Sequence, residues 1–458
     1  MRKILSIGCL VFLAIAVQIR AAPDKAPATS TSPNIVFILA DDLGFGDLGV
    51  YGAPDIRTPN LDRLAARGVK FTQAYANASV CTPTRTAFMT GRYQQRVGGL
   101  ETAIHPGRMH LGLPASEPTL PRLLGAAGYT TLISGKWHLG YLPEFYPRAH
   151  GFDHFFGLLS GNHNYFTHRE NNNEADLFLE DAPVEMNGYS THLITRHALK
   201  FLDERPKDRP FFLYVPHNSP HFPYQTPDDA AKVITNFQDG DRATYARMVE
   251  ALDSAVGEIL DYLVRNDLEQ NTLVIFTSDN GGDKFARNEP FSGKKTTYAE
   301  GGIRVPAIAC WPGRLPAGVM CDQVAITMDW TATFLGLAGA EAAPNRPLDG
   351  MDLWPVMSGK TAPVARTLFW RNRTTRGALL DRVVRDGDWK LIRSAAGEAK
   401  LYHLVTDPGE RQNLATMEPA RVKRLGELID AWEQAVEPPL YQRELDQMKG
   451  FPPPARKD

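Results

Sequence analysis

Asn34-Ile35-Val36-Phe37-Ile38-Leu39-Ala40-Asp41-Asp42 runs through six consecutive apolar residues and stops at two adjacent carboxylates. A strand with one wet face alternates apolar and polar positions. A run that stays apolar is buried on both faces, as in a parallel sheet with helices above and below. The same arrangement recurs along the chain. Tyr129 to Ser134 leads into Lys136 and His138, Phe211 to Val215 into His217 and His221, and Thr272 to Thr277 into Asp279-Asn280. Helical patterns lie between them, an amphipathic one over 61–69 and a long one over 245–264. The expected fold is α/β, a large mostly parallel sheet covered by helices on both faces. All four polar clusters then fall at carboxyl ends of strands, the edge where open α/β sheets bind ligands.

After about residue 360 the pattern changes to short runs at 368–371, 379–385, 389–392 and 400–404, with Asp386-Gly387 as a hairpin turn. This predicts a smaller C-terminal antiparallel sheet, with a helix over 418–436 packed on it and a loose Pro-rich tail from Phe451. The chain divides into a signal peptide (1–22), a flexible Pro/Ser/Thr/Ala-rich lead-in (23–33), a catalytic α/β domain (34–360) and a C-terminal α+β subdomain (361–458).

The signal peptide rests on Met1-Arg2-Lys3, an apolar core from Ile4 to Val17 and small residues at Ala21-Ala22. That core falls short of the roughly 20 residues that span a bilayer, so the expectation is a secreted or periplasmic protein without a stable membrane span. Losing Arg2, Lys3 and Arg20 takes the formal charge from -2 to -5. An anionic substrate must therefore meet a local cationic cluster, and nucleic-acid binding has no compositional support. Cys81, Cys310 and Cys321 would remain. Cys310 and Cys321 flank a Pro/Gly-rich turn and are candidates for a disulfide, which leaves Cys81 unpartnered.

Cys81-Thr82-Pro83-Thr84-Arg85, continued by Thr86 to Arg92, fits a nucleophile opening a helix, with Pro83 in the first turn and Ser79 and Thr82 as candidate caps. Free N–H groups there favour an anion. Asp41, Asp42, Asp279 and Asn280 are hard oxygen donors that suit Ca²⁺ or Mg²⁺ better than zinc. Gly44-Phe45-Gly46-Asp47-Leu48-Gly49 matches a dinucleotide fingerprint, but three nearby aspartates would oppose a pyrophosphate. Pro216, Pro220 and Pro223 rule out a zinc-binding helix across His217 and His221, leaving a proton donor or anion contact, with a structural role the competing reading for His217. Lys136 and His138 point the same way from an extended segment, and Lys295 adds a cation. Together these are the parts needed for displacement at a sulfate or phosphate ester.

Asp41-Asp42-Leu43-Gly44, the Cys81 to Arg85 signature with Thr90-Gly91-Arg92, Gly135-Lys136-Trp137-His138, Pro220-His221, Ser278-Asp279-Asn280-Gly281 and Glu300-Gly301-Gly302 occur in one order. In that combination the chain resembles the type I sulfatase family of the alkaline phosphatase superfamily, from Asn34 to about Leu414. The resemblance implies that a maturation enzyme oxidises Cys81 to formylglycine, whose hydrate is the nucleophile. A serine would end as a stable sulfate ester, whereas a geminal diol can be sulfated on one oxygen and expel sulfate with the other.

It also implies that Asp41, Asp42, Asp279 and Asn280 bind Ca²⁺ together with the modified Cys81, and that Arg85 and Lys136 hold the formylglycine. His138 would assist breakdown of the intermediate. Lys136, Lys295 and His221 would contact the sulfate, and His221 would protonate the leaving oxygen. Ser160 and His163 are further candidate sulfate contacts. Ala299 separates Tyr298 from Glu300, where the family has the aromatic residue adjacent, so Lys294 and Lys295 both qualify. The five-residue spacing to Glu300 favours Lys295.

The resulting expectation is a calcium-dependent sulfatase acting on O-sulfate esters of a sulfated carbohydrate. Loops at 99–114, 160–182 and 371–376 would carry its specificity. The alternatives are a phosphonate monoester or phosphodiester hydrolase of the same fold, and an unmodified homologue that only binds sulfated glycans.

Overall fold

The computed structural model describes residues 32–98, 100–374 and 378–436. The expected signal peptide, nearly all of the lead-in and the tail from Phe451 lie outside the described residues, as do Gly99 and residues 375–377. In chain order the strands are β1 (Asn34–Ala40), β2 (Val69–Phe71), β3 (Ala74–Tyr75), β4 (Thr130–Lys136), β5 (His154–Leu158), β6 (Phe178–Leu179), β7 (Ala182–Pro183), β8 (Phe211–Pro216), β9 (Thr272–Ser278), β10 (Ala307–Cys310), β11 (Val319–Cys321), β12 (Ala325–Ile326), β13 (Thr367–Arg373), β14 (Leu379–Asp386), β15 (Trp389–Ser394) and β16 (Ala399–His403). The helices are α1 (Pro59–Ala66), α2 (Cys81–Thr90), α3 (Leu120–Ala126), α4 (Ser190–Glu204), α5 (Arg242–Arg265), α6 (Glu300–Ile303), α7 (Met328–Ala338), α8 (Trp354–Met357) and α9 (Pro419–Ala435).

Ten strands form one sheet in the order β11-β2-β10-β9-β1-β8-β4-β5-β6-β7, and its centre, β9-β1-β8-β4-β5, is parallel throughout. The unbroken apolar run of β1 has the cause read from the sequence. Val36, Ile38 and Ala40 enter a core with α1, α4 and α5, while Ile35, Phe37 and Leu39 enter the opposite core with α2, α3 and α7. Phe37 stacks on Phe88 of α2 at 4.2 Å between ring centroids and meets Phe334 of α7 edge-on at 5.8 Å. Burying each such side chain stabilises the fold by about 1.5–3 kcal/mol.

Several boundaries move for local reasons. Helix α5 starts at Arg242 because the Asp241 carboxylate caps it, accepting from Thr244 N at 2.7 Å. The helical reading over 61–69 overran: α1 ends at Ala66, and Val69 opens β2 against β10. The candidate disulfide does not form, and Cys310 and Cys321 are free. Strand β2 lies between β10 and β11, so the two cysteines are separated by two strand spacings, about 10 Å. A disulfide bridges Cα atoms no more than about 6.8 Å apart.

Strands β13 to β16 form the expected antiparallel sheet, with the turn at Gly387. Val384, Leu391 and Leu401 bury against Leu425 and Ile429 of α9. Trp370 on β13 donates from its indole N–H to Ala76 O at 2.9 Å, tying this sheet to the chain just before α2. A buried ionic cluster sits beside that contact: Lys390 lies 2.8 Å from Glu300 Oε1 and 2.9 Å from Glu410 Oε1. Burial alone would raise the Glu300 carboxyl, but Lys390, Arg304 and Arg385 hold it down at about 2. Lys390→Met is expected to destabilise the protein by about 3 kcal/mol, because Glu410 stays buried without its cation while Glu300 keeps Arg304 at 3.2 Å. The check is a lower denaturant midpoint at an unchanged slope.

Candidate active site

Register brings the strand ends together. Ala40 pairs with Ser278 and Leu39 with Pro216, so the residues after β1 lie between those after β9 and β8. Strand β4 follows on the far side of β8. Backbone bonds continue the alignment past the strands: Asp41 N donates to Ser219 O at 3.1 Å, Asp279 N to Ala40 O at 3.1 Å and His217 N to Leu39 O at 2.9 Å. Gly135 makes this closeness possible. At φ 138°, a Cβ there would fall 2.0 Å from Pro216 O.

Cys81 is the first residue of α2 and 2% exposed. Its Sγ lies 3.5 Å from Asp41 Oδ1 and 3.6 Å from Lys136 Nζ. The expected caps are absent: the N-cap is Val80, without a side-chain bond, and the Thr82 hydroxyl instead donates to His138 O at 3.0 Å. Burial pushes the Cys81 thiol far up; Lys136 and Lys295 pull the other way, and Asp279 and Asp41 add to the rise. The encoded side chain is therefore a neutral thiol, a poor nucleophile.

Arg85 stands one turn further along α2. Its Nε and Nη2 donate to Asp279 Oδ2 at 3.0 and 2.8 Å, and Nη1 donates to Lys136 O at 2.7 Å. Its hydrogen bonds thus hold Asp279 and the end of β4 in place. Lys136 Nζ is 2.5 Å from Asp41 Oδ2, and Lys295 Nζ is 2.7 Å from Asp42 Oδ2. Lys294 is exposed and pairs with Asp283, so Lys295 is the lysine of this cluster. Burial would raise Asp42, but Lys295, His221 and the Asn280 amide hold it at about 2.

The oxygen donors gathered here suit a hard cation. Asp41, Asp42, Cys81 and His221 each present a ligand atom within 4.8 Å of the others. Asn280 Nδ2 donates to Asp42 Oδ1 at 2.7 Å, and its Oδ1 is buried with no hydrogen-bond partner. A buried oxygen acceptor without a donor, beside three buried carboxylates, matches what an oxygen-coordinated cation satisfies.

Two histidines each commit one ring nitrogen to a backbone carbonyl. His138 Nε2 lies 2.8 Å from Ile104 O, which can only accept, so Nε2 carries the proton and the buried, unpartnered Nδ1 is the proton acceptor. Its ring rests on Gly161, where a Cβ would come within 2.8 Å. His221 Nδ1 likewise donates to Phe222 O at 2.7 Å, leaving Nε2, 3.6 Å from Asp42 Oδ2, as the nitrogen that gains and loses a proton. Burial and then Lys295 push His221 down to about 3, against the pull of Asp42.

Cys81, His138, His221 and Lys295 open into a pocket of about 320 Å³. Ser160 and His163, the further candidate sulfate contacts, are not among its lining residues. Ser160 Oγ bonds Asn162 O at 2.8 Å and also Asp176, and the two ring nitrogens of His163 lie against Asp176 O and Ser190 Oγ. These bonds tie the loop to itself and to the start of α4. His217 is buried away from the pocket, with neither ring nitrogen partnered. The wall instead comes from Ile104, Tyr141, Asn162, Glu170 and Phe222, loop residues that belong to none of the motifs.

Comparison with known proteins agrees with this geometry. The profile of the sulfatase family matches residues 33–340, and that of the N-sulphoglucosamine sulphohydrolase C-terminal region matches residues 290–431. The chain is 37% identical over 385 residues to the N-acetylgalactosamine-6-sulfatase of Canis lupus familiaris, covering 79% of this chain and 72% of that protein. It is 34% identical to the arylsulfatase A of Homo sapiens, covering 84% of each. The crystal structure of Ps i-CgsB in complex with k-i-k-neocarrahexaose superimposes with a TM-score of 0.81 at 32% identity, over 92% of this chain and 98% of that one. The phosphonate monoester hydrolase of Agrobacterium radiobacter shares the fold, with a TM-score of 0.62 at 19% identity. A sulfatase profile across most of the described chain, relatives of this identity and a collinear set of site motifs lead to one conclusion: the chain belongs to the sulfatase family, within the alkaline phosphatase superfamily, and is a sulfuric ester hydrolase.

Proposed function

We propose that this protein is a secreted, calcium-dependent sulfatase that hydrolyses O-sulfate esters of a carbohydrate through the formylglycine hydrate made from Cys81. The observation that carries the reading is the placement of Cys81 at the head of α2, between the Asp41 carboxylate and the Lys136 ammonium. A formylglycine hydrate supplies two hydroxyls on one carbon, one to displace the sugar alcohol from sulfur and the other to release sulfate. Asp41, Asp42, Asp279 and Asn280, with the modified residue 81, would hold Ca²⁺, which supplies positive charge to the ester oxygens.

The remaining work falls to the chain's own groups. Asp41, Asp42 and Asp279 are matched by Arg85, Lys136 and Lys295, so a divalent cation would leave the site positive and drawn to a sulfate ester. Lys295 and His221 line the pocket where that anion would sit. A bound sulfate offsets the repulsion that His221 feels from Lys295 and raises its affinity for a proton, which Nε2 then gives to the leaving oxygen. His138 Nδ1 accepts a proton as the intermediate breaks down. Lys136 holds the nucleophile. Ser160 and His163 take no part in sulfate contact in this reading.

A carbohydrate substrate is supported by the names of the relatives, by the neocarrahexaose complex of Ps i-CgsB and by the amide-rich pocket rim at Asn162, Asn171 and Asn172. Export is supported by the segment from Met1 to Ala22. Among the described residues, no helix is long and apolar enough to cross a membrane. The test is sulfate release from sulfated mono- and oligosaccharides, with aryl sulfate, phosphodiester and phosphonate monoester substrates in parallel. Sulfate esters are expected to be preferred by about a hundredfold or more in kcat/KM. A preference for the phosphorus esters would replace this reading with the same-fold alternative.

A further inference from the structure

The pocket that ends at Cys81, Lys295 and His221 has a carboxylate in its wall. Glu170 is the one acidic side chain among its lining residues, and it is 9% exposed. It is held there by construction. Arg169 and Ala175 form a bridge across a tight loop. Glu170 N donates to Glu174 O at 3.0 Å and Asn173 N to Glu170 O at 2.9 Å. The Tyr141 hydroxyl donates to Glu170 Oε1 at 3.2 Å. A carboxylate in a site that collects an oxyanion works against binding unless it meets something the cations do not. Sugar hydroxyls are such a partner, since a carboxylate oxygen accepts from them strongly and repels a second anion.

Glu170, Asn171 and Phe222 also border a second cleft, lined further by Arg169, Lys232 and Asn236. The ring carrying the scissile sulfate would therefore lie against Glu170, with the rest of a longer glycan continuing past Phe222.

We propose that Glu170 is the specificity-determining residue for the sulfated ring: it accepts hydrogen bonds from hydroxyls of an otherwise neutral sugar and rejects a ring with a second sulfate or a carboxylate on that side. The proposal rests on the sulfatase reading above. Its test is kcat/KM on a hexose bearing one sulfate, the same hexose bearing two, and a sulfated hexuronic acid, with aryl sulfate as a common reference. The wild type is expected to favour the singly charged ring by about tenfold or more, and Glu170→Gln to bring that ratio to within about threefold of unity.

Glu170→Ala, measured in the same way, is expected to lose the preference and also about tenfold in kcat/KM on the monosulfated hexose, because it has no acceptor left. An unchanged ratio in both variants, alongside normal turnover by the wild type, overturns the Glu170 assignment alone. A wild type that turns over none of these sulfate esters overturns the sulfatase reading and this proposal with it.

Discussion

Cys81→Ala is expected to lower kcat for sulfate esters by about 10⁴-fold or more, with the fold intact. The side chain is small and buried, so its loss costs little packing, but it removes the group from which the formylglycine hydrate would be made. Cys81→Ser should be as inactive by a different route: a single sulfation of its hydroxyl would leave a stable ester with no second hydroxyl to expel it. Peptide mass spectrometry gives the complementary result. In active material, the peptide holding residue 81 should be lighter by one sulfur and two hydrogens and heavier by one oxygen. Full activity with an intact thiol would sink the formylglycine reading. An intact thiol in native material that turns over nothing would favour a protein that only binds sulfated glycans.

Exhaustive removal of divalent cations is expected to reduce turnover by about 10²–10³-fold, with recovery on adding Ca²⁺ and not Zn²⁺. The reason is the donor set: three carboxylates and the unpartnered Asn280 oxygen, all hard and all buried. Stability provides a readout that needs no substrate. At a hundred times its Kd, Ca²⁺ should stabilise the protein by about 2.7 kcal/mol, seen as a higher Tm. Asp42→Asn should abolish that shift, because it removes a carboxylate from the site and leaves Lys295 without its partner. Unchanged activity after chelation, with no Tm response to Ca²⁺, would eliminate the metal.

The four strand-end clusters could be read from residue order because their signal is local. An unbroken apolar run forces a strand to be buried on both faces, and the first polar residue after it must then emerge at the sheet edge. The Cys81 helix, the C-terminal sheet and the terminal helix followed from equally local patterns. Even so, Asp241 moved one helix start, and the placement of β2 between β10 and β11 prevented the disulfide.

What residue order left open was where each polar atom is spent. Arg85, in the signature motif, turns its guanidinium onto Asp279 and the Lys136 carbonyl. Ser160 and His163, suggested by the resemblance, bond Asn162 in their own loop and Ser190 at the head of α4, while Glu170, which belongs to no motif, lines the pocket. The proton on His138 is fixed by one carbonyl 34 residues away. Residue order was enough for the sheet, the strand-end clusters and the family, because hydrophobic periodicity and motif order are properties of neighbouring residues. Which groups line the pocket and which are already satisfied emerged from the folded chain, because a hydrogen bond forms wherever the fold brings donor and acceptor within about 3 Å, whatever their separation along the chain.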